Sequence, residues 1–340
     1  MKENAPLMAC ISSSPVLEEA FAWLCKRRAA YSPHNDVWEL RKNWDCEKPR
    51  VQADLLAGEY CFEPLRELRI NGEIIELWSS GDALVLKAVS IVLTEYLKPR
   101  LSGRCFHIAA NGGAKGAVRE AMAALLPEHH VMKSDVRGYY AGIDHMVLMD
   151  LLERHMPDKA LLRLLWDWLR RTVCFGENYR DVTRGISLGC PLSPLMGALY
   201  LLPLDKAMEN SGCFYARFMD DWLILAPSRW KLRRAVKTVR QVLEVLNVEI
   251  HPDKTFIGRA HHGFDFLGYA LSPGVLKPAS RTVEKCAERI SRLYEQGADN
   301  IRVGRYIQRW NRWVTAGGFR LNTVDHNSFL AARGFALGIS

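Results

Sequence analysis

Two adjacent aspartates, Asp220 and Asp221, interrupt an otherwise apolar and aromatic stretch running from Phe214 to Leu225. The flanking aromatic and branched residues read as two short strands, which puts the pair on the tight turn of a β-hairpin with both side chains near its tip. Carboxylates held side by side repel each other unless a cation neutralises them, and a divalent metal is the natural occupant. An ordinary Asp-Asp turn on a surface hairpin is the plainer alternative, and the dipeptide alone does not exclude it.

Two upstream pieces change that balance. In Val131-Met132-Lys133-Ser134-Asp135-Val136-Arg137-Gly138-Tyr139-Tyr140 an apolar strand ends in a third carboxylate, Asp135, with two aromatics behind it and a helix-starting Asp144 beyond. Gly185-Ile186-Ser187-Leu188-Gly189-Cys190-Pro191-Leu192-Ser193-Pro194-Leu195 is a turn-rich loop that runs into an apolar helix over Met196–Leu202, with Pro194 placed to start it. Its glycines let backbone approach a flat ligand closely.

In this order and spacing the three pieces resemble the palm motifs of reverse transcriptases, in particular the bacterial group II intron-like lineage. There an Asp followed by two aromatics, a Gly-x-Pro-x-Ser-Pro loop and an aromatic-x-Asp-Asp hairpin succeed one another. Two further segments extend the likeness. His251-Pro252-Asp253-Lys254-Thr255 resembles the lysine-bearing segment after the hairpin, and Phe264-Asp265-Phe266-Leu267-Gly268-Tyr269 resembles the Phe-Leu-Gly strand that grips the primer. The resemblance implies an α+β right-hand polymerase with fingers, a ferredoxin-like palm of antiparallel sheet backed by helices, and a small helical thumb. It divides the chain into an N-terminal helical segment and fingers (1–120), palm (121–275) and basic thumb with a short tail (276–340).

The same resemblance implies an RNA-directed DNA polymerase. A primer 3′-hydroxyl would attack the α-phosphate of a dNTP between two Mg²⁺ ions about 3.5–4 Å apart, with Mn²⁺ as a substitute. Asp135 and Asp220 are the expected bridging ligands, with Asp221 beside them and the carbonyl of Val136 as a further ligand. Mg²⁺ keeps much of its shell as water and phosphate, so few protein carboxylates suffice. Lys254 is the candidate acid near the leaving pyrophosphate, or a lysine on an exposed turn. Tyr140 matches the aromatic under the nucleotide sugar, where a 2′-hydroxyl would collide, and favours deoxynucleotides. One of Tyr139 and Tyr140 is expected in the core and the other in the site, by alternation along an extended segment.

Arg137 either meets a triphosphate oxygen or is solvated, and Arg66 and Arg69 are the fingers' candidates for the triphosphate. Gly189 and Ser193 would shape the surface under the nucleotide. Phe266, Leu267 and Gly268 would form the primer grip. The sequence departs from the family at Leu188, where Gln is frequent, at Phe218, where Tyr is common, and at Ala83, where a basic residue usually follows an aspartate like Asp82.

Composition sets the outer bounds. The chain has 340 residues, 49% of them apolar and 25% charged, enough to bury a full core, and a formal charge of +8 that suits a phosphate-rich partner. Basic residues cluster after the hairpin, from Arg229 to Lys237, and through the last hundred residues. The run Arg305-Tyr306-Ile307-Gln308-Arg309-Trp310-Asn311-Arg312-Trp313 interleaves arginine with aromatic rings, so Arg305, Arg309 and Arg312 are candidates for nucleic-acid contact. Lys115, in the glycine-rich Asn111–Gly116, is read as part of a fingers-to-palm loop touching template or nucleotide. Nine cysteines stand singly with no Cys-x-x-Cys, which reads as reduced, mostly buried thiols of a cytoplasmic protein. No apolar run approaches the roughly 18 residues needed to cross a bilayer.

Helices are expected from Ser14-Pro15 to Arg28, over Asp82–Leu97, across Leu148–Thr172, over Arg229–Leu246 and beyond Pro278 to Val314. Strands are expected around Tyr60-Cys61-Phe62 and Ile74–Trp78. The short stretch after the thumb leaves no room for a ribonuclease H or endonuclease domain, so a compact stand-alone enzyme is expected. Leu192-Ser193-Pro194 speaks against the diversity-generating group, and Val314-Thr315-Ala316-Gly317 only approaches the retron Val-Thr-Gly. The expected partners are an RNA template, by preference a cognate non-coding RNA of a defence-associated or retron-like system, the RNA/DNA product duplex and dNTPs. No membrane is expected, and a homo-oligomer is left open. The competing readings are an RNA-dependent RNA polymerase and a catalytically silent RNA-binding or splicing-helper protein.

Overall fold

The computed structural model describes residues 6–70 and 73–318. The chain opens with α1 (Leu7–Ile11), α2 (Ser14–Arg27), α3 (Val37–Lys42) and α4 (Trp44–Ala57). Pro15 sits in the first turn of α2, where its missing N–H leaves no helical bond unmade. β1 (Leu65–Ile70) and β2 (Glu73–Leu77) form a hairpin that leads to α5 (Ser80–Leu97). The side chain of Ser79 caps α5 by accepting from the Asp82 N–H at 3.1 Å.

The expected strand at Tyr60–Phe62 does not form. The Tyr60 hydroxyl donates to buried Asp82 at 2.8 Å, and Phe62 packs edge-on against both Tyr60 and Trp78. These aromatics fold onto the start of α5, and the strand begins only after Pro64. The glycine-rich stretch is likewise shorter as a loop than the sequence suggests, because α6 (Gly113–Ala124) takes up Lys115. α6 packs on the central sheet, so a fingers–palm boundary at residue 120 would fall inside a helix.

That sheet comprises β3 (His130–Ser134), β6 (Phe214–Phe218), β7 (Asp221–Ala226) and β8 (Phe256–Arg259), in the spatial order β6-β7-β3-β8 and antiparallel throughout. Between β3 and β6 run α7 (Tyr139–Gly142), α8 (His145–His155), α9 (Lys159–Leu169), the hairpin β4 (Thr172–Phe175) and β5 (Asn178–Asp181), α10 (Ser193–Tyr200) and α11 (Leu202–Glu209). Between β7 and β8 runs α12 (Arg229–Val245). A βαββαβ path in the strand order fourth-first-third-second is the ferredoxin-like arrangement expected of a palm. Helix was expected as far as Thr172, but that residue begins β4, which pairs parallel to β1 and ties the two hairpins into one sheet. The overlooked signal is Gly176, at φ +61°, between two short polar-apolar alternations.

Alternation along β7 sends its side chains to two separate cores. Trp222, Ile224 and Ala226 join the helical core with α8 to α12, whereas Leu223 and Leu225 join a second core with α6 and residues that follow the sheet. Those residues form β9 (Phe264–Phe266), β10 (Tyr269–Ser272) and β11 (Val275–Pro278), an antiparallel meander, then the helical hairpin α13 (Ser280–Glu295) and α14 (Asn300–Thr315) with its own apolar seam. Among the described residues the cysteines are all free, with Cys105, Cys190 and Cys286 buried, Cys46 and Cys61 exposed and the others half-buried. No described helix is long and apolar enough to cross a membrane.

Among the described residues one ion pair lies entirely inside this framework. Arg217 of β6 and Asp205 of α11 are both fully buried and meet in a two-pronged bond, Nε to Oδ1 at 2.6 Å and Nη2 to Oδ2 at 2.5 Å, with the Tyr215 hydroxyl donating to Oδ1 at 2.8 Å. Burial opposes the charge on Arg217, but Asp205 and its neighbours overcome that and hold the guanidinium well above its ordinary range. Removing one member of such a pair costs about 3–5 kcal/mol, because its partner is left charged and unpaired, whereas replacing both with apolar residues is often neutral. Arg217→Met is therefore expected to lower the urea unfolding free energy by about that amount, and Arg217→Met combined with Asp205→Leu to recover most of it.

Candidate active site

β3 delivers Asp135, and the chain after it is clamped to the segment that follows α12. The Asp135 carbonyl accepts from the His251 N–H at 2.9 Å, Val136 forms a β-bridge with Ile250, and the Arg137 N–H donates to the Glu249 carbonyl at 2.9 Å. The Asp135 carboxylate is 5% exposed. Its Oδ2 accepts from Lys254 Nζ at 2.5 Å, and its Oδ1 is buried with no hydrogen-bond partner among the described residues.

Asp220 and Asp221 approach from the β6–β7 hairpin. Phe218 pairs with Asp221, leaving Met219 and Asp220 as the turn, and Met219 takes the left-handed conformation at φ +58°. For a residue with a Cβ this costs about 1–2 kcal/mol. Both polar groups of the Met219 peptide are captured in return. Its carbonyl accepts from Arg217 Nη1 at 2.7 Å, and its N–H donates to His107 Nδ1 at 2.9 Å. The other ring nitrogen, Nε2, faces the Pro194 carbonyl at 3.1 Å. An imidazole that accepts on one side and donates on the other is the neutral Nε2–H tautomer, and burial, with Arg217 adding to it, pushes its pKa down to about 4. His107 thus ties the start of α10 to the turn that aims Asp220.

The three carboxylates feel one another. Burial raises the pKa of Asp220, with Asp135 adding to it, and burial, Asp220 and Asp135 in turn push Asp221 up to about 6. Among the described residues no three His, Cys, Asp or Glu side chains close into a ready-made metal cage. The donors nonetheless fit a hard divalent cation. An unpartnered buried carboxylate oxygen stands beside two more carboxylates that are expensive to ionise together, and Mg²⁺ accepts a few such ligands alongside water and phosphate. Lys254 supplies a compensating positive charge, and its own pKa is raised by the bond to Asp135.

Tyr139 and Tyr140 lie in the single helical turn α7, not in an extended segment, so helical geometry separates them. Tyr139 is buried, its hydroxyl donating to the Gly197 carbonyl at 2.5 Å. Tyr140 is half-buried, with its hydroxyl unpartnered among the described residues, and burial, with Asp220 contributing, pushes its pKa up to about 12. Gly197 makes room for both rings, since a Cβ there would stand 3.1 Å from Tyr140 and 3.2 Å from Tyr139. Gly185, at φ +86°, lies so close to α7 that a Cβ would meet the Ala141 carbonyl oxygen at 2.9 Å.

In the loop before α10 the buried Ser193 hydroxyl donates to the Ser187 carbonyl at 2.7 Å, which commits it to holding the loop. Trp78 Nε1 donates to the Ser187 hydroxyl at 3.1 Å, and Arg171 bridges Glu76 (2.8 Å) to the Gly185 carbonyl (3.0 Å), joining β2 to the same loop. Gly189, at φ +87°, is exposed, as is Leu188. Arg137 and Arg66 are exposed; Arg69 falls in β1, and its side chain lies outside the described residues.

Phe266 ends β9 and is buried, and Leu267 and Gly268 form a turn with φ of +47° and +85° in place of a continuous strand. The Gly268 carbonyl accepts from Ala279 N–H and Thr282 Oγ1, which fastens the turn to the start of α13. Lys115 Nζ sits 3.3 Å from the centre of the Trp313 ring and 4.4 Å from that of Tyr269, and it bonds the Tyr269 hydroxyl, so it is engaged inside the chain; burial pushes its pKa down to about 8. Arg305, Arg309 and Arg312 line one exposed groove along α14 with Arg302 and Gln308. Sequence reading overlooked His107, Asp205 and Arg217. A lone arginine in the apolar strand Phe214–Phe218 was the available signal for one of them.

The family model described as "Reverse transcriptase (RNA-dependent DNA polymerase)" matches residues 84–271. Protein YkfC of Escherichia coli (strain K12) is 22% identical over 313 residues, covering 78% of this chain and 82% of that protein. Group II intron-encoded protein LtrA of Lactococcus lactis subsp. cremoris is 24% identical over 206 residues, which cover 59% of this chain but 34% of LtrA, so the match spans about a third of that relative. Among solved structures, a chain of a "Cas6-RT-Cas1--Cas2 complex" is similar at 20% identity and a TM-score of 0.46, covering 71% of this chain and 27% of its own.

The clamp on Met219 is testable by substitution. His107→Ala should lower the turnover of any reaction at the aspartates by about 10–100-fold with little change in substrate KM, as a misplacement of order 1 Å does. His107→Asn, which keeps an acceptor for the Met219 N–H, should recover part of that loss. Because the folded-state pKa lies below the ordinary value, the unfolded chain binds the extra proton first as pH falls. Wild-type stability should therefore drop relative to His107→Asn as pH falls from about 6.5 towards about 4.

Proposed function

The chain belongs to the reverse transcriptase (RNA-dependent DNA polymerase) family, and on that premise we propose that it extends a primer with dNTPs on an RNA template at Asp135, Asp220 and Asp221. The observation that carries the proposal is the convergence of these three carboxylates, from the end of β3 and the β6–β7 turn, with Tyr140 close enough to feel the charge of Asp220.

Bound Mg²⁺ would supply Lewis-acid stabilisation of the attacking and leaving oxygens. Asp135 and Asp220 would be its principal ligands, with Asp221 and the Val136 carbonyl completing the acidic edge. Lys254 would exchange its bond to Asp135 for the pyrophosphate side of the nucleotide, where an ammonium both offsets charge and donates a proton. Tyr140, wedged against Gly197, would present a fixed ring edge beneath the sugar, excluding a 2′-hydroxyl. Gly189 offers the exposed, Cβ-free backbone of the loop, and Ser193 keeps that loop in shape through Ser187. Arg137 and Arg66 are exposed cations suited to triphosphate oxygens, and the turn at Phe266-Leu267-Gly268 would support the primer. Arg305, Arg309 and Arg312 would follow the product duplex.

We extend the reading to the division into fingers, palm and thumb, with residues 319–340 of the thumb and tail outside the described residues. It also extends to a dedicated non-coding RNA as native template in a defence-type setting. Leu192-Ser193-Pro194 favours that over the diversity-generating group, and the imperfect Val314-Thr315-Ala316-Gly317 favours it over the retron group.

The experiment is incorporation of dNTPs and NTPs on a primed RNA template with Mg²⁺, beside Asp220→Ala. Deoxynucleotide incorporation that vanishes in Asp220→Ala and on chelation of the metal is expected. Tyr140→Ala should admit NTPs that the wild-type chain rejects. Equal use of NTPs by the wild-type chain would instead indicate RNA synthesis, and sequencing of co-purified RNA would identify the template.

A further inference from the structure

α12 leaves Ser228, whose side chain caps it, at the end of β7 remote from the aspartates. β7 runs five residue steps from Asp221 to Ala226, so at about 3.3 Å per step the start of α12 lies roughly 17 Å from the catalytic turn. The helix packs on the sheet through Leu232, Ala235, Val239 and Leu243. These belong to the core shared with Trp222 and Ile224, whereas Val314 of α14 belongs to the core on the other side with Leu223 and Leu225. α12 and the C-terminal end of α14 therefore pack on opposite sides of the palm sheet.

The outer face of α12 carries an unusual set of residues. α12 has six basic residues and one acidic one. Among the described residues none of the six is in an ion pair. Trp230, Arg234, Lys237 and Gln241 recur at helical spacing opposite the buried stripe, with Arg233 beside them. Trp230 is 66% exposed, and the Arg234 guanidinium lies 5.8 Å from its ring centre. Among the described residues Trp230 belongs to none of the apolar clusters, so its ring faces are free of the core. A flat aromatic at the head of a basic stripe does match single-stranded nucleic acid, in which every base has a face to stack and every link a phosphate to neutralise.

We infer that the outer face of α12 is a second nucleic-acid surface, outside the cleft, which takes single-stranded RNA by stacking a base on Trp230 and seating phosphates on Arg233, Arg234 and Lys237. The polymerase reading enters only as the source of that RNA, a template segment or structured RNA extending beyond the cleft.

The test uses the full chain with its cleft saturated by an unlabelled short RNA/DNA hybrid, and follows a fluorescent 12-nucleotide single-stranded RNA by anisotropy at several salt concentrations. Wild type should bind the labelled RNA. Trp230→Ala should weaken binding about 5- to 150-fold, the range expected for one lost stacking partner. A triple change of Arg233, Arg234 and Lys237 to Gln should lower the slope of log affinity against log salt by roughly 2, at about 0.7 per phosphate. Extension of the short hybrid and the thermal midpoint should be unchanged in both variants. Binding that is unaffected by both variants, absent when the cleft is filled, or displaced by polyglutamate with no dependence on Trp230 would overturn the inference, the last in favour of an acidic protein partner. If the hybrid is neither bound nor extended while the RNA still binds through Trp230, the polymerase reading fails and this one stands.

Discussion

The buried pair of Arg217 and Asp205 is the constraint around which the rest of the site is arranged. The cost of burying a guanidinium is offset by two bonds to Asp205, one to the Met219 carbonyl and one to the Ala198 carbonyl at 3.2 Å. Through those four contacts one side chain fixes α11, the end of α10 and the Met219-Asp220 turn relative to one another. The strain of a left-handed Met219 persists because the surroundings determine it from both sides, Arg217 on the carbonyl and His107 on the N–H.

The loop before α10 and the paired tyrosines are held by a second set of contacts that meets the first at α10. His107 reaches Pro194 at the start of that helix, Tyr139 reaches Gly197 in its middle, and Ser193 returns to Ser187. Beneath them Arg171 connects the loop to β2, so the glycine loop, the aromatic turn and the aspartate hairpin form one assembly. Lys254 is the exposed element by contrast. Its side chain is 56% exposed while Asp135 is buried, so the ammonium can leave its partner without disturbing the core.

Much of this was legible in the sequence, because hydrophobic periodicity and turn chemistry act locally. The aspartate hairpin, Pro194 in the first turn of α10, Asp144 as the cap of α8 and the long α5 and α12 follow from residue types at short spacing. What escaped depends on tertiary partners. Tyr60 to Phe62 alternate like a strand but fold back onto Asp82. Tyr139 and Tyr140 are separated by a helical turn and not by strand alternation. His107 and Asp205 stand in ordinary surroundings along the chain, and their role exists only because folding brings Pro194, Met219 and Arg217 beside them. Lys115 reads as a loop lysine facing template or nucleotide, but α14 brings Trp313 against it.

Asp135 and the Asp220-Asp221 turn are proposed as one divalent-cation edge, with Lys254 holding the place of positive charge on Asp135. The most direct measurement is the anomalous difference map from a crystal of the full chain grown with Mn²⁺, a dideoxy-terminated primer on an RNA template, and the next dNTP. Manganese peaks touching both Asp135 and Asp220, with Lys254 moved off Asp135, are expected. A ternary complex with no manganese on these carboxylates and Lys254 still bonded to Asp135 would contradict the proposal.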